Sequence, residues 1–510
     1  MSVTKLRSAR WQRRLIHPPR AVIDIGSNTV RLVIYEGPAR APEVVWNEKV
    51  AARLGRDLNE SGAIPEEAAR EALDALARYV LLIADRGITD VQTVATAAAR
   101  DATNGAPFLA RVAELGLEPR LLSGSDEANL SAMGAIGAFP EARGCVADLG
   151  GGSLELVSVE GGTTHGGISL PFGTLRLPRL RATGKFAKNV NASLDEARWK
   201  APADRPLYMI GGTWRALAHF AMRHADYPLT DPHGFRLDAG EADRLTKMLV
   251  DTRPEELEAI PGISTMRASY LPDAAALLRP LLNRLAPSEL VFSSWGLREG
   301  LLYDSLTPLM RQGDPLLAGV HAFAEPRDAM VTDAARMAGW TVDVAGGDGQ
   351  YNERLRLAAA HLSSALQRVE PNLRATHAAE WALDKRWIGL EARERATICA
   401  ALFGSLGRTD PPDRISALAC RNDIREGTTW GLSFRLARRL GAGSRMSLSM
   451  SQLRLKKKSL TLYLDKSRAP LATYPLTKDL GVLAAWLGRE PRIKTGAFEF
   501  ADPLEDADED

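Results

Sequence analysis

Two stretches of this chain interrupt an apolar run with an aspartate and a glycine-containing turn. This repeat limits the folds that the chain can adopt. Residues 21–37 are AVIDIGSNTVRLVIYEG and residues 146–162 are VADLGGGSLELVSVEGG. In each stretch an apolar run reaches an aspartate, passes through a glycine-containing turn and becomes apolar again, which is the pattern of a β-hairpin. Two copies about one domain apart predict two similar lobes that face each other.

An ordinary hairpin explains Gly26 in the first copy, because glycine gives a tight turn its backbone freedom. It does not explain Asp24, which stands between Ile23 and Ile25. A carboxylate in such a strand is costly to bury unless a donor, a metal ion or a metal-bound water accompanies it. The first stretch alone therefore leaves an ordinary hairpin and a functional loop open.

The glycine-rich turns are suited to bind phosphate. Without side chains they let a phosphate approach the main chain, and consecutive amides that point into one concavity bind its oxygens. A third turn, in MIGGTWRALAHF, follows an apolar run and begins an amphipathic helix, whose first amides also favour an anion. The predicted substrate-binding residues are Gly26, Ser27, Asn28 and Thr29 in the first turn, Gly150, Gly151, Gly152 and Ser153 in the second, and Gly211, Gly212 and Thr213 in the third.

Three carboxylates stand at or next to the first two turns, where they would repel a phosphate. A divalent cation such as Mg²⁺ removes that conflict, because it takes oxygen ligands and bridges carboxylates to phosphate. We therefore expect Asp24, Asp148 and Glu155 to hold such a cation. The alternative for Glu155 is an exposed strand residue in SLELV, although strand alternation places it on the face of Ser153.

A helix is predicted between the two turns, in RLLSGSDEANLSAMGAIGAF, beginning near Asp126 and Glu127. Acids in a first helical turn are favoured by the helix dipole alone. At the seam of two phosphate-binding lobes, a carboxylate there would also accept a proton from an attacking water. Arg100, in ATAAARDATNG, has the charge to hold a phosphoryl group, and a solvated surface arginine is the alternative.

The whole chain has the composition of an ordinary globular protein, with 45 % apolar and 25 % charged residues among 510. Its length predicts three or four domains. No apolar run is long enough to span a bilayer and no h-region follows the basic N-terminal segment, so we expect a cytoplasmic protein that does not bind membranes. Three isolated cysteines predict core thiols rather than a disulfide or zinc site. No aromatic-rich basic motif indicates nucleic-acid binding.

Seven stretches together resemble the family of exopolyphosphatases and guanosine pentaphosphate phosphohydrolases (Ppx/GppA). They are DIGSNTVRLVIYE, ATAAARDATN, SGSDEANL, ADLGGGSLEL, SLPFGTLRL, IGGTWRALA and WGLREGLLY, which span residues 21 to about 303. The resemblance implies an α/β fold of two actin-like (ribonuclease H-like) lobes, followed by an α-helical HD-like domain and a small β-containing segment. The predicted domains are a basic arm (1–19), lobe I (20–125), lobe II (126–309), a helical domain without the HD metal motif (310–440), an α+β segment (441–500) and an acidic tail (501–510).

By the same resemblance, Glu127 matches the family's catalytic base and Arg100 its phosphate-binding arginine. Asp148 and Glu155 match acids associated with metal and catalysis. The implied reaction is Mg²⁺-assisted, in-line attack of water on the terminal phosphorus of inorganic polyphosphate. Guanosine pentaphosphate is the alternative substrate, and a non-catalytic nucleotide or phosphate sensor is a further alternative. A homodimer is implied by resemblance only.

Some positions depart from the family pattern. Asn129 stands where an arginine is usual, so one positive contact is missing or supplied elsewhere. Trp214 stands where a smaller residue is usual, which predicts a restricted base pocket and favours an inorganic chain. The helical part has no His-Asp pair, and His361 has no acidic neighbour, so we expect no second metal centre. A further set of basic residues would form either a track for a long anion or a solvated surface: Arg374, Arg408, Arg438, Arg439, Arg454, Lys456, Lys457 and Lys458.

Overall fold

The structure is a computed structural model that describes residues 17–327, 331–345, 350–442 and 444–497. Contacts divide the chain into two compact units, residues 1–315 and 316–510. Among the described helices, none combines the length and the apolar character that crossing a membrane requires. The predicted arm and acidic tail lie largely outside the described residues.

The first unit contains two mixed β-sheets. One has the strand order β3-β2-β1-β4-β5 and the other the order β10-β11-β9-β6-β7-β8. The strands of the first sheet are β1 (Arg20–Ile25), β2 (Val30–Glu36), β3 (Glu43–Val50), β4 (Asp90–Ala95) and β5 (Pro119–Leu121). Those of the second are β6 (Gly144–Leu149), β7 (Leu154–Glu160), β8 (Thr163–Leu170), β9 (Leu207–Ile210), β10 (Arg236–Asp238) and β11 (Glu289–Ser293).

The predicted repeat is confirmed by the pairing of these strands. β1 runs antiparallel to β2 and parallel to β4, and β6 likewise runs antiparallel to β7 and parallel to β9. The turns close alike, because the amide of Gly26 donates to the carbonyl of Thr29 and that of Gly150 to the carbonyl of Ser153, each at 3.0 Å. Equivalent elements of the two lobes therefore carry the two aspartates.

Helices cover both sheets of the first unit. They are α1 (Leu58–Ser61), α2 (Glu66–Asp85), α3 (Ala97–Asp101), α4 (Gly105–Glu114), α5 (Gly124–Ala138), α6 (Leu177–Ala182), α7 (Phe186–Glu196), α8 (Gly212–His224), α9 (Ala239–Val250), α10 (Pro254–Glu258), α11 (Thr265–Leu285), α12 (Leu297–Asp304) and α13 (Pro308–Arg311). The apolar face of α2, with Leu76, Tyr79 and Ile83, packs into the core of the first lobe. A larger core, which includes Trp214 and Phe292, fills the second lobe.

The second unit is mainly helical. Its helices are α14 (Pro315–Ala324), α15 (Val331–Trp340), α16 (Gln350–Ala365), α17 (Arg374–Ala379), α18 (Ala392–Ser405), α19 (Arg421–Gly441), α20 (Arg445–Ser449) and α21 (Tyr474–Leu487). A three-stranded sheet contains β12 (Ser451–Leu455), β13 (Ser459–Asp465) and β14 (Glu490–Gly496) in the order β12-β13-β14. The relation of this unit to HD domains, and the domain boundaries, stay predictions.

Two sequence predictions need correction. The alternation of apolar residues in RMSLSMSQLRLKKKSLTLYLDK, residues 445–466, predicts a short β segment, but Arg445–Ser449 forms a helix. The register of β12 with β13 ends at Ser451 and Leu464, and one further bond, from the amide of Asp465 to the carbonyl of Met450 at 3.1 Å, closes the sheet next to this helix. Cys420 was expected in a core, but this thiol is exposed before α19, whereas Cys145 and Cys399 are buried.

Candidate active site

The two glycine turns touch each other across the lobes. A Cβ atom on Gly151 would lie 3.3 Å from the Cβ of Asn28, and one on Gly152 would lie 2.9 Å from the hydroxyl of Ser27. Real Cβ atoms essentially never approach a neighbour closer than 3.0 Å. A side chain at position 152 would therefore push the Ser27 hydroxyl away, and glycine avoids this contact. The predicted meeting of the two turns is therefore present.

Neighbouring segments occupy the carbonyl oxygens of these turns. The amides of Gly55 and Arg53 donate to the carbonyls of Ser27 and Asn28, and those of Thr174 and Leu175 donate to the carbonyls of Gly150 and Gly151. Among the described residues, the tip amides of Ser27, Asn28, Gly151 and Gly152 have no acceptor. Fixed carbonyls and open amides are the arrangement that binds an anion.

These turns line a cavity of about 210 Å³ together with the third turn. Gly211 adopts a φ of 118°, and a Cβ there would lie 2.6 Å from the carbonyl oxygen of Leu149. A Cβ on Gly212 would lie 2.6 Å from the guanidinium of Arg267 and would displace this side chain, whereas Gly211 is required by its φ and by its backbone contact. All eleven predicted turn residues lie in the cavity wall, from Gly26 to Thr29, from Gly150 to Ser153 and from Gly211 to Thr213.

Glu127 lies in the first turn of α5 and lines the same cavity. The helix begins at Gly124, two residues before the predicted start, because Ser123 caps it by accepting from the amide of Asp126 at 3.1 Å. Burial raises the pKa of the Glu127 carboxyl to about 7, the charge of Arg100 opposes that shift, and the charges of Asp148 and Asp24 add to it. A carboxyl with such a pKa suits a general base at neutral pH.

Arg100 contacts this carboxylate rather than the cavity. Its Nη1 lies 3.2 Å from Oε2 of Glu127 and also donates to the carbonyl of Leu122. Its Nε lies 3.3 Å from Asp101. Arg100 is not among the residues that line the cavity, so its predicted direct contact with phosphate stays a prediction.

Asp24 and Asp148 both line the cavity, at equivalent positions of β1 and β6. Asp148 accepts a hydrogen bond of 2.5 Å from Ser131, which lies one turn after Glu127 on α5. Asp24 lies 3.8 Å from Nη1 of Arg298. Burial raises the pKa of both carboxyls. The charges of Arg298 and Arg31 oppose the shift at Asp24, and the Ser131 hydrogen bond and the charges of Arg215 and Arg298 oppose it at Asp148.

Glu155 is buried, so the alternative of an exposed strand residue is wrong. It pairs with Asp148 across the hairpin and accepts a hydrogen bond of 2.9 Å from Ser169. Burial and the neighbouring charges of Glu127 and Asp148 raise the pKa of its carboxyl well above the usual value. Glu155 is not part of the cavity wall.

Five cationic residues that were not predicted as site residues also line the cavity. They are Arg31, Lys49, Arg215, Arg267 and Arg298, which come from β2, β3, α8, α11 and α12. Burial and the charge of Arg298 lower the pKa of Arg31 to about 10, and burial with three neighbouring arginines lowers that of Arg215 to about 9. These guanidiniums repel one another, so an anion among them would be stabilised.

Several buried polar atoms in this wall have no hydrogen-bond partner among the described residues. They are the hydroxyls of Ser27 and Ser294, the amide oxygen of Asn28 and the Nε atoms of Arg31 and Arg298. Unsatisfied buried donors are rare in native proteins and call for an explanation. Here most of them are donors at one cavity, which fits a ligand rich in acceptor oxygens.

The donor set also fits a divalent cation, with one change from the sequence prediction. Within the described part of the chain, no three His, Cys, Asp or Glu residues form a metal-binding group. Mg²⁺ is commonly held by one or two carboxylates together with phosphate oxygens and waters. Asp24 and Asp148 supply two carboxylates at the cavity, whereas Glu155 lies behind its wall.

The departures at Asn129 and Trp214 lie away from the cavity. Trp214 is fully buried in the core of the second lobe and is absent from the cavity wall, so the predicted restriction of a base pocket is wrong. At the start of α8, Gly212 and Thr213 reach the cavity while Trp214 packs inward. Asn129 lies beside Gly167 on β8, outside that wall. Positive charge reaches the cavity from the five cations instead.

Known proteins resemble part of this chain. The 350-residue match to retrograde regulation protein 2 of Saccharomyces cerevisiae is 27 % identical and covers 59 % of this chain but only 58 % of the yeast protein. Exopolyphosphatase 2 of Mycobacterium tuberculosis is 28 % identical over 308 residues, which are 55 % of this chain and 96 % of that protein.

Solved structures match a similar share of the chain. A crystal structure of an exopolyphosphatase from Cytophaga hutchinsonii is 26 % identical, with a TM-score of 0.50, over 57 % of this chain and 99 % of that one. The Ppx/GppA family member of Aquifex aeolicus is also 26 % identical, with a TM-score of 0.49, over 58 % and 99 % of the two chains. The model of the Ppx/GppA phosphatase family matches residues 33–308, more than half of this sequence. The chain therefore belongs to the Ppx/GppA phosphatase family.

Proposed function

We propose that this protein is an exopolyphosphatase, which hydrolyses the terminal phosphoanhydride bond of inorganic polyphosphate. One observation carries the proposal: a buried carboxyl of pKa about 7, Glu127, borders a cavity where open amides and five cations converge. The family membership and the name of the mycobacterial relative support the same class of reaction.

The cavity wall binds the chain end in this proposal. The amides of the first two turns donate to the nonbridging oxygens of the terminal phosphate. Arg31, Arg215 and Arg298 balance the charge that develops on these oxygens, as preorganised donors do in phosphoryl transfer. The cavity, of about 210 Å³, takes the end of the chain.

Glu127 then acts as the general base. It takes a proton from a water whose oxygen attacks the terminal phosphorus in line, while the anhydride bond breaks and its electron pair leaves with the shortened chain. Arg100 keeps a fraction of Glu127 ionised at neutral pH through its charge and its hydrogen bond. Asp24 and Asp148 would hold a divalent cation, which when bound supplies charge neutralisation to the phosphate oxygens.

Guanosine pentaphosphate is the second candidate substrate, and two observations favour it. Trp214, which was expected to restrict a base pocket, lies in the core. The ring of Tyr270 lines the cavity and offers a surface on which a base can stack. The same catalytic residues would act on the terminal phosphate of the nucleotide.

Phosphate release separates the candidates. Long-chain polyphosphate and guanosine pentaphosphate are supplied at equal concentrations with Mg²⁺, and kcat/KM is compared. We expect the larger value with polyphosphate, and an equal or larger value with the nucleotide would overturn that preference. Binding of both without release of phosphate would instead indicate a sensor, a role consistent with the name of the yeast relative. Cytoplasmic location and a homodimer stay predictions.

A further inference from the structure

A second and larger cavity lies wholly within the second unit. Its volume is about 880 Å³, which falls in the range of cavities that take small organic ligands. Segments of α15, α16, α17, α19 and α20 form its wall, together with the chain that follows α18. The proposed hydrolysis takes place in the first unit and gives this second cavity no role.

The wall of this cavity is rich in arginine. Of the residues described, eight arginines line it: Arg336, Arg368, Arg374, Arg408, Arg435, Arg438, Arg439 and Arg445. Guanidinium groups present planar forks of donors that match phosphate oxygens in pairs. A cluster of this size is therefore suited to a ligand with several phosphate groups.

Acidic neighbours compensate only part of this charge. The carboxylate of Asp479 accepts from Arg435 and Arg439, each at 2.9 Å. Asp333 lies 3.2 Å from Arg336 and 3.7 Å from Arg445. In these described contacts, two carboxylates are shared by four guanidiniums.

Other arginines of the wall contact neutral groups. Arg438 donates to the hydroxyl of Ser363 at 2.5 Å and to the carbonyl of Ser405 at 2.7 Å, and Arg374 donates to two carbonyls. Burial and the charges of Arg435 and Arg374 together lower the pKa of Arg438 to about 10. Because these positive charges lie close together and repel one another, a bound anion would stabilise the wall.

Parts of the wall are not charged, and they indicate that the ligand is more than a phosphate chain. Met337, Leu406 and Leu448 give apolar surface, while Gln367 and Asn372 give amide groups that can donate and accept hydrogen bonds. A bare inorganic polyphosphate has no atoms that use such surface. A phosphorylated organic molecule has both parts.

We propose that this cavity binds a small organic molecule with an oligophosphate group, such as a nucleoside triphosphate. The arginines hold the phosphates, and the apolar and amide groups hold the organic part. The site is separate from the proposed catalytic cavity, since the two share no residue. A nucleoside triphosphate and inorganic tripolyphosphate both have a short phosphate chain. Only the nucleoside triphosphate also carries a nucleoside.

The test uses the full chain with Glu127→Gln, a substitution in the wall of the other cavity that leaves the residues of this one unchanged. ATP, GTP and inorganic tripolyphosphate are added at equal concentrations without Mg²⁺, and hydrogen exchange is measured by mass spectrometry. We expect ATP or GTP to slow exchange in peptides covering residues 364–375 and 435–442 more than tripolyphosphate does. Equal protection by tripolyphosphate would overturn the organic part of the proposal, and no protection by any probe would overturn the site.

A charge reversal gives the matched control. Arg408 is exposed at the cavity, and its side chain has no bond to another described residue, so Arg408→Glu leaves internal contacts intact. Lys457→Glu makes the same change of charge at an exposed position outside the cavity. We expect Arg408→Glu to weaken nucleotide binding at least 10-fold and Lys457→Glu to change it less than 2-fold. Equal affinities of the two variants would contradict the proposal. No hydrolysis is measured, so the result does not depend on the proposed function.

Discussion

The guanidinium of Arg100 donates a hydrogen bond to the carboxylate of Glu127, with Nη1 and Oε2 3.2 Å apart. The bond crosses between lobe I and the start of α5. This bond and the charge of Arg100 offset part of the upward shift that burial causes in the pKa of Glu127. Arg100 therefore helps to set the pH at which the proposed base becomes available.

Replacement of Arg100 should move the acidic limb of the pH–rate profile. Arg100→Gln removes a positive charge that lowers the pKa of Glu127, so this pKa should rise above about 7. We expect the limb of kcat/KM to shift upward by roughly one pH unit. Arg111→Gln, at an exposed ion pair with Glu66, is the control and should leave the limb in place. A limb that stays or moves downward in Arg100→Gln would contradict this role.

Removal of one cavity arginine should weaken binding without unfolding the protein. Arg215→Met deletes a guanidinium that is repelled by Arg267, Arg298 and Arg31. Each charge-assisted contact contributes about 1.5–3 kcal/mol, so KM for polyphosphate should rise roughly 10- to 100-fold. Relief of the repulsion should keep the melting temperature at or above that of the parent.

The matched control for this variant lies on the same helix. Arg223→Met makes the same change at an exposed position of α8 and should alter KM less than 2-fold. If Arg215→Met and Arg223→Met had the same KM, the cavity arginines would not be the binding site for the substrate.

Neutralisation of Glu127 should stabilise the fold at alkaline pH. The pKa of this carboxyl is raised from 4.5 to about 7 on folding, so the folded state loses stability relative to the unfolded state as the pH rises through this window. A glutamine has no proton to lose. At pH 8.5 we expect Glu127→Gln to have a free energy of unfolding higher by about 1–3 kcal/mol.

Urea titrations at pH 8.5 and pH 4.5 measure this difference. The stabilisation should vanish at pH 4.5, where the wild-type carboxyl is protonated in the folded state. Glu114→Gln, at the exposed end of α4, is the control and should show no such dependence on pH. A lower stability of Glu127→Gln at pH 8.5 would show that this carboxylate is favourably paired rather than strained by burial.

The sequence predicted the local part of the site. The turns at Gly26 and Gly150 follow from short-range pairing and glycine geometry, and these signals need no knowledge of the tertiary fold. Burial of Glu155 and inward packing of Trp214 depend on neighbours from distant elements, such as Ser169 on β8. Composition and spacing do not contain that information.

The arginines that line the candidate active site were not predicted, for a related reason. Arg31, Arg215 and Arg298 come from three separate elements, and only folding brings them to one cavity. Each lies within a family-like stretch, namely DIGSNTVRLVIYE, IGGTWRALA or WGLREGLLY. The buried Glu299 beside Arg298 accepts from the hydroxyl of Tyr35 at 2.6 Å and from the amide of Gly296, which fixes the start of α12. The signal for the cluster was thus present in the motifs.

The turnover of Glu127→Gln shows whether Glu127 activates the attacking water. The measurement is kcat for phosphate release from polyphosphate at pH 8 with saturating Mg²⁺, after hydrogen exchange has shown an intact fold. Loss of a general base should lower kcat by roughly 10²- to 10⁴-fold with little change in KM. A kcat within about 10-fold of the wild-type value would contradict the account.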